Sequence, residues 1–366
     1  MLIWGERAAT AALCIALVGC GGESADEPDS GVVPGIGDGN AETSVGDTGT
    51  EPGQETDGGE DTGGGETMGD PPATSGGAPL FDLGGGDVTG TTPMAGCQAV
   101  DFLFVIDNSV SMENEQEALV GAFPGFMDAI ENVLEVGSDY HIMVLDTDAW
   151  GRCDTANPWD GATPGSGTCN DYIEQTTFDE CDRVRGAGVL HPAGELASNM
   201  LCTPASGKRY IEPGEPDLAG TFACMATVGT AGHASERPMN AIEHALDATN
   251  AESQACNAGF LRDDALLVVT FVSDDGGQPD EGEPQYWYDA VLAAKGGDPS
   301  GVVVLGLGPG GPGCGGGGEH WLDFVEMWGD NGIHGGVCGT AEEYVQFFQD
   351  AVTTIDQACE DYDPPG

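Results

Sequence analysis

Four nearly uninterrupted apolar runs constrain the fold of this 366-residue chain more than any other feature. They read DFLFVI (101–106), YHIMVL (140–145), ALLVVTFV (265–272) and VVVLGL (302–307). Runs of this length suit strands that are buried on both faces, and they are too short for a typical helix. The sequence therefore predicts four central strands.

Segments with helical spacing lie between and after these runs. In residues 113–133, apolar side chains recur every three to four positions at Leu119, Phe123, Phe126 and Ile130. The other segments of this kind are 237–248, 285–294, 321–328 and 342–358. Strands that alternate with helices form parallel sheets covered on both faces. We therefore predict an α/β fold with a doubly wound, mostly parallel sheet.

The chain is strongly acidic, with 63 acidic residues, 9 basic residues and a net charge of −54. Nucleic-acid binding requires clustered Lys and Arg that contact phosphates. We therefore expect no nucleic-acid partner. A surface of this charge also attracts divalent cations.

The first 19 residues have the pattern of a lipoprotein signal peptide. The apolar stretch 8–18 is shorter than the ~20 residues of a membrane-spanning helix. It ends in LVGC, which resembles the lipobox of bacterial lipoproteins. On this interpretation Cys20 is acylated, and the lipid is the only contact with the membrane. Gly21 and Gly22 place no charge beside the lipid, which by analogy favours the outer membrane of the cell envelope. An ordinary secretory signal is the alternative.

The next segment, residues 20–95, is composed almost entirely of Gly, Asp, Glu, Thr, Pro and Ser. Such a composition cannot bury a core, so we predict a disordered acidic tether. The folded domain is predicted over residues 96–360, with a short tail at 361–366.

Twelve cysteines are present, of which Cys14 belongs to the signal segment and Cys20 to the lipobox. The remaining ten include no CxxC pair, which argues against a zinc–thiolate site. An even number in an exported chain predicts disulfides in an oxidising compartment, without fixing the pairing. Five of the ten lie in the irregular section 150–226, which we interpret as a disulfide-stapled insertion.

Short oxygen-bearing side chains follow the first apolar run immediately, at Asp107, Ser109 and Ser111. Ligands of doubly wound sheets bind beyond the carboxyl ends of the strands. Alternating carboxylate and hydroxyl groups at such a place suit a hard cation. The pattern therefore predicts a cation site at this end of the sheet.

The segment DFLFVIDNSVSM (101–112) resembles the DxSxS motif of von Willebrand factor A domains, of the kind found in surface lipoproteins of myxobacteria. The resemblance covers residues 97–359 and implies a metal-ion-dependent adhesion site built from three segments. These segments supply Asp107, Ser109 and Ser111, then Thr230 in VGTAG, then Asp274 in TFVSDD.

The implied ligands suit Mg²⁺, or alternatively Mn²⁺ or Ca²⁺, because all are hard oxygen donors. Asp275 is the alternative to Asp274 in the third segment. In the family, an open coordination position accepts an acidic residue from a protein partner. The resemblance therefore implies adhesion through a bridging cation, with no catalytic residues.

A second acidic pattern leaves an enzymatic alternative open. Asp146 and Asp148 follow the second apolar run, like the DxD opening of haloacid-dehalogenase-type phosphatases. An aspartyl nucleophile with Mg²⁺ is coherent chemistry. That family also needs a Lys near the phosphate, and the chain offers Lys208 in the insertion and Lys295 at the end of a helix. The alternative is therefore an extracytoplasmic, Mg²⁺-dependent hydrolase that uses the same face.

Overall fold

The computed structural model describes residues 99–133, 139–148, 179–232, 236–276, 280–310 and 316–365. All of them belong to one of two units into which the chain divides, residues 73–366. The predicted signal peptide, Cys20 and the tether lie outside the described residues, as does the first part of the predicted insertion.

The described residues contain five strands and a set of helices that alternate with them. The strands are β1 (Val100–Ile106), β2 (Tyr140–Asp146), β3 (Leu266–Val272), β4 (Val302–Gly308) and β5 (Gly332–Gly336). The helices are α1 (Glu113–Val133), α2 (Leu218–Ala226), α3 (Pro238–Leu246), α4 (Ala251–Cys256), α5 (Pro284–Ala294), α6 (Glu319–Glu326) and α7 (Ala341–Asp361).

The strands form one sheet in the order β2-β1-β3-β4-β5, and every neighbouring pair is parallel. The predicted α/β, doubly wound fold class is confirmed. Chain order reverses at β1, which lies between β2 and β3. In sheets of this order, ligands bind at the carboxyl ends of β1 and β3. Ile106 pairs with Val272 on one side and with Asp146 on the other, so the residues after these three strands meet at one edge.

The side chains of each strand alternate between two apolar layers. Phe102 and Phe104 of β1 face the layer that contains α1 and α7, whereas Leu103 and Val105 face the layer that contains α3, α5 and α6. All four are fully buried. Because helices cover both faces, the strands need no polar side, which explains their continuous apolar sequences.

Three elements were not among the sequence predictions. Strand β5 has the sequence GIHGG, in which three of the five residues are glycine, a residue depleted in strands. Helix α2 lies inside the section that was expected to be irregular, and α4 spans only six residues. Helix α2 forms because Phe222 fits between α1 and β1: its ring stacks on Phe123 with centroids 3.5 Å apart and contacts Phe104 edge-on at 5.1 Å.

A disulfide and backbone hydrogen bonds tie the insertion to the rest of the domain. Cys181 is bonded to Cys256 outside the insertion, and Cys202 is bonded to Cys224 within it. Cys338 and Cys359 are disulfide-bonded as well. These bonds confirm the predicted disulfides and indicate an oxidising, extracellular compartment. In the described part of the chain, no helix combines the length and apolarity needed to cross a membrane.

Two insertion residues also cover the exposed edge of the sheet. Ile211 exchanges backbone hydrogen bonds of 2.8 and 3.0 Å with Ile142 of β2, and the N–H of Val189 donates to the carbonyl of Val144 at 2.8 Å. An uncovered edge strand offers unpaired N–H and C=O groups to other chains. The insertion therefore protects the β2 edge from pairing with another chain.

Several basic side chains form hydrogen bonds inside the domain. The Arg262 Nε donates to Asp101 Oδ1 at 2.8 Å, and the Arg209 Nη2 donates to Asp182 Oδ1 at 2.8 Å. The Lys295 ammonium donates to three backbone carbonyls, those of Arg262, Asp263 and Ala265, at 2.6–3.0 Å. Burial lowers the pKa of Lys295. These residues stabilise the amino end of the sheet and the base of the insertion.

Candidate metal centre

Asp107 is the first residue after β1 and is completely buried. Its backbone N–H donates to the Val272 carbonyl at 2.9 Å, so the β1–β3 ladder continues through it. Its carboxylate accepts two hydrogen bonds, from the Ser109 N–H to Oδ1 at 2.6 Å and from the Ser273 hydroxyl to Oδ2 at 2.6 Å. The sheet therefore fixes the position of the carboxylate, and the turn after β1 fixes its orientation.

The other hydroxyls of the first segment lie beside the third segment. The Ser109 Oγ is 3.4 Å from the Ser111 Oγ and 3.5 Å from Asp274 Oδ1. Asp274 reaches this point because it lies two residues beyond β3, which pairs directly with β1. The structure thus brings Asp107, Ser109, Ser111 and Asp274 together. The backbone N–H of the alternative residue, Asp275, instead points to the Ser273 Oγ at 3.3 Å.

The loop that carries Thr230 is attached to the first segment by Gln116, a buried residue of α1. The Gln116 Nε2 donates to the Asp107 carbonyl at 2.9 Å and to the Gly229 carbonyl at 2.8 Å. Its Oε1 accepts from the Gly229 N–H at 3.0 Å. The Gly232 N–H also donates to the Asn108 carbonyl at 2.8 Å. Thr230 is therefore held between two contacts with the first segment.

The Thr230 hydroxyl itself donates to the Glu195 carbonyl at 3.3 Å, and the Thr230 N–H donates to the same oxygen at 2.8 Å. Thr230 is buried. The other threonine near this loop, Thr227, donates its hydroxyl to the Ala223 carbonyl at 2.7 Å, which ends helix α2. The structure therefore places Thr230 next to the first segment, with its hydroxyl bonded to the insertion.

Glu115 is a further acidic residue at this edge, and the sequence analysis did not single it out. Its Oε2 is buried and accepts no hydrogen bond from the described residues. Burial raises the pKa of Glu115, and the negative charge of Asp274 raises it further. Tyr344 lies nearby, and its hydroxyl donates to the Val337 carbonyl at 2.8 Å. Burial raises the pKa of Tyr344, and the charges of Glu115 and Asp274 raise it further. Glu115 therefore contributes negative potential to the site.

A second group of acids lies on the β2 side of Asp107. Glu236 and Asp148 are both buried, and their backbones form an antiparallel bridge. The Thr147 hydroxyl donates to Glu236. Burial raises the pKa of Glu236 well above its ordinary value, and the charges of Asp107 and Asp148 raise it further. No local sequence pattern pointed to Glu236, because its position depends on the pairing of two distant loops.

Burial also dominates the electrostatics of Asp107. It raises the pKa of this carboxyl from 3.8 to about 7, against the hydrogen bonds from Ser273 and Ser109, which lower it. The neighbouring charge of Asp274 adds to the increase. A carboxylate in this position is stabilised by any cation that reaches it.

The chemistry of the donor set fits a small divalent cation. Two carboxylates and two hydroxyls converge, all of them hard oxygen donors of the kind that Mg²⁺ prefers. Clusters of three or more His, Cys, Asp or Glu with metal-ligand geometry do not occur within the described ranges. The candidate site is of a different type, because hydroxyl groups supply a large share of its oxygens. Asp107, Ser109, Ser111 and Asp274 would hold the ion, with Thr230 nearby.

Comparisons with known proteins give little further guidance. No family model and no curated protein matches the chain. Among solved structures, it is similar to proximal thread matrix protein 1 from the mussel byssus in two crystal forms, at 11% and 13% identity with TM-scores of 0.39 and 0.38. These alignments cover 71% of this chain and 49% and 48% of the mussel chains, so this chain spans about half their length. At such low similarity, they carry no argument about function.

Proposed function

We propose that this protein is a cell-surface lipoprotein with a von Willebrand factor A-like domain, which binds a protein ligand through a divalent cation. The observation that carries the proposal is the position of Ser109. Its hydroxyl lies 3.4 Å from that of Ser111 and 3.5 Å from the carboxylate of Asp274, beside the buried Asp107. This convergence occurs where β1 and β3 end, at the point where the order of the sheet reverses.

The charge of the edge supports a bound cation. Asp274 lies close enough to both Asp107 and Glu115 for its charge to raise the pKa of each of them. Like charges in a partly desolvated place repel strongly. A divalent cation would offset this repulsion and, when bound, would supply an electrophilic position for an oxygen of the partner. The acidic residue of the partner would complete its coordination.

The positions of the lysines favour binding over hydrolysis. The phosphatase-like alternative requires a Lys near Asp146 and Asp148, at the carboxyl edge of the sheet. The ammonium of Lys295 is bonded to carbonyls just before β3, at the opposite edge. Lys208 is partly exposed and pairs with Glu212 at 2.8 Å. Neither lysine therefore supports a phosphate site at the acidic edge.

The anchoring proposal rests on the sequence. Acylation of Cys20 would attach the chain to the outer membrane, and residues 20–95 would separate the domain from the lipid. The disulfides are consistent with this location, because they persist in oxidising compartments outside the cytosol.

Thermal unfolding of the mature chain with and without Mg²⁺ tests the cation. Binding stabilises the folded state by RT ln(1 + [L]/Kd), about 2.7 kcal/mol at a hundredfold excess over Kd. We expect Asp274→Asn to abolish this stabilisation, since it removes one of the two carboxylates. Asp128→Asn is the matched control, because Asp128 is an exposed acid on α1. Equal stabilisation of both variants would place the ion elsewhere, for example on the acidic tether.

Capture of partners from an outer-membrane extract then tests adhesion. We expect proteins that are retained in Mg²⁺ to be released by EDTA and to be absent when Asp274→Asn is the bait. For the hydrolase alternative, the decisive result would be Mg²⁺-dependent phosphatase activity that Asp146→Asn eliminates.

A further inference from the structure

A loop of the insertion, residues 192–201, packs against the candidate metal centre. The Glu195 carbonyl accepts both the N–H and the hydroxyl of Thr230. The Ser198 N–H donates to the Thr227 carbonyl at 2.9 Å. At Gly229, a Cβ atom would lie 2.6 Å from the Ala197 Cβ, so only glycine permits this approach. We call residues 192–201 the apical loop.

The apical loop is braced by side-chain hydrogen bonds and by a disulfide. The Asn199 side chain spans it, accepting from the Gly194 N–H and donating to the Gly194 carbonyl, both at 2.9 Å. The Cys202–Cys224 disulfide ties the end of the loop to helix α2. A braced loop can present side chains to a partner without losing conformational entropy on binding.

Leu196 combines a left-handed backbone conformation with an exposed apolar side chain. Its φ of +60° lies in the left-handed region, which Gly, Asn and Asp tolerate far better than branched apolar residues. Even so, 49% of its side chain is exposed. An apolar residue in a strained backbone, with half of its surface in water, gains little in the isolated domain. Such strain at a loop beside a ligand site is typical of binding surfaces.

Most of the exposed large apolar side chains belong to two segments. Across the described ranges, five large hydrophobic residues are exposed, and four of them belong to the apical loop or to the first metal-site segment. They are Val110, which lies between Ser109 and Ser111 and is 83% exposed, and Leu196, Met200 and Leu201. The exposed acid Glu195 belongs to the apical loop, and the exposed acid Glu113 begins α1, directly after the first metal-site segment. Exposed apolar side chains are therefore accompanied by exposed acids in this part of the chain.

We propose that the apical loop, with Leu196 and Val110, forms a specificity surface for a polypeptide segment in which an apolar side chain neighbours the carboxylate that reaches the cation. Basic residues of that segment would face Glu195 and Glu113. This inference rests on the proposed function, because the cation receives the carboxylate. The partner is a polypeptide rather than a membrane, since Glu195 and Glu113 would repel anionic headgroups.

A displayed library of random dodecapeptides with one fixed central Asp tests the proposal. The immobilised mature protein is incubated with the library in Mg²⁺, and bound clones are eluted with EDTA and sequenced. We expect enrichment of Leu, Ile, Val or Phe within two positions of the Asp, and of Lys or Arg further out. The selected peptides are then synthesised, together with versions that carry Asn in place of the Asp, and their binding is measured.

Two variants make the test specific. Leu196→Asn removes the apolar side chain and keeps a residue that tolerates the left-handed backbone. It should weaken binding of the selected peptides by about tenfold, as expected for the loss of a half-buried Leu contact, while stabilisation by Mg²⁺ is unchanged. Tyr286→Asn is the control, because Tyr286 is 50% exposed on α5, outside the apical loop. It should bind the peptides as the wild type does.

The outcomes separate this inference from the proposed function. Peptides that are eluted by EDTA but show no apolar preference, and that bind Leu196→Asn normally, would overturn the specificity surface and leave cation-dependent adhesion intact. If EDTA elutes no more clones than a wash in Mg²⁺, or if the selected peptides bind equally well with Asn in place of the Asp, the proposed function itself is overturned.

Discussion

Replacing Asp107 by Asn should stabilise the metal-free protein at neutral pH while abolishing its response to Mg²⁺. Asn has the shape of Asp and can preserve both hydrogen bonds. Its Oδ1 can accept from the Ser109 N–H, and its Nδ2 can donate to the Ser273 oxygen, because a hydroxyl both donates and accepts. The substitution therefore removes a buried charge and little else.

The size of the effect follows from the pKa of the carboxyl. Burial raises the pKa of Asp107 from 3.8 to about 7, so the folded state binds this proton more tightly than the unfolded state does. The stabilising contribution of the proton is fully present below the unfolded pKa and is lost as the pH rises through the folded pKa. At about 1.4 kcal/mol per pH unit, the neutral Asn should be favoured by about 2 kcal/mol at pH 5 and about 4 kcal/mol at pH 8.

Urea denaturation in EDTA between pH 5 and pH 8.5 measures this difference. The variant should unfold at a higher urea concentration than the wild type, and the gap should widen with pH. Adding Mg²⁺ should then shift only the wild type, because cation binding offsets the cost of the buried charge. With saturating Mg²⁺ the gap should narrow.

Two results would refute the reasoning. If the two proteins unfold at the same urea concentration throughout the pH range, the Asp107 carboxylate carries no unfavourable charge in the folded state. If Mg²⁺ stabilises Asp107→Asn as much as the wild type, the cation is bound without this carboxylate.

Three further predictions concern other parts of the protein. Gln116→Leu leaves the backbone groups of Gly229 without their side-chain partner, so it should lower the free energy of unfolding by about 3 kcal/mol and weaken stabilisation by Mg²⁺; urea denaturation and thermal shift measure both. Phe222→Ala removes the ring stacked on Phe123 and should lower the free energy of unfolding by about 3–5 kcal/mol without changing the response to Mg²⁺. Cys20→Ser should release the protein from membranes and eliminate labelling by a palmitate analogue; continued membrane retention would contradict the proposed anchor.

The sheet was predictable because its strands are buried on both faces. Runs such as VDFLFVI in β1 and LLVVTFV in β3 contain little else than branched and aromatic residues. Helix α1 was predicted with the bounds that the structure shows, because its apolar positions are regularly spaced. Strand β5 was missed because three of its five residues are glycine, and its pairing with β4 comes from the sheet rather than from its own sequence.

Some residues of the candidate site could also be predicted from the sequence, and others could not. Asp107 could be found because it directly follows an apolar strand. Asp274 was indicated by the family resemblance, and it lies two residues beyond a parallel strand that ends at the same edge. Gln116 and Glu236 could not be found, because each owes its position to contacts with residues far away in sequence. Neither a polar residue on a helix nor an acid in a loop differs locally from an ordinary surface residue.

The burial of several Arg and Lys side chains affects where trypsin can cut the chain. Trypsin cuts after Lys and Arg, yet Arg209 and Lys295 are each only 7% exposed, and the Arg262 side chain is only 18% exposed. The sequence has no Lys or Arg between Arg7 and Arg152, so residues 20–95 offer trypsin no cleavage site at all. With the proposed lipid anchor, trypsin applied to intact cells would leave the domain attached, because even a cut after the exposed Lys208 falls between the disulfide-bonded Cys202 and Cys224. A protease specific for Glu would instead cut within residues 20–95 and release the domain.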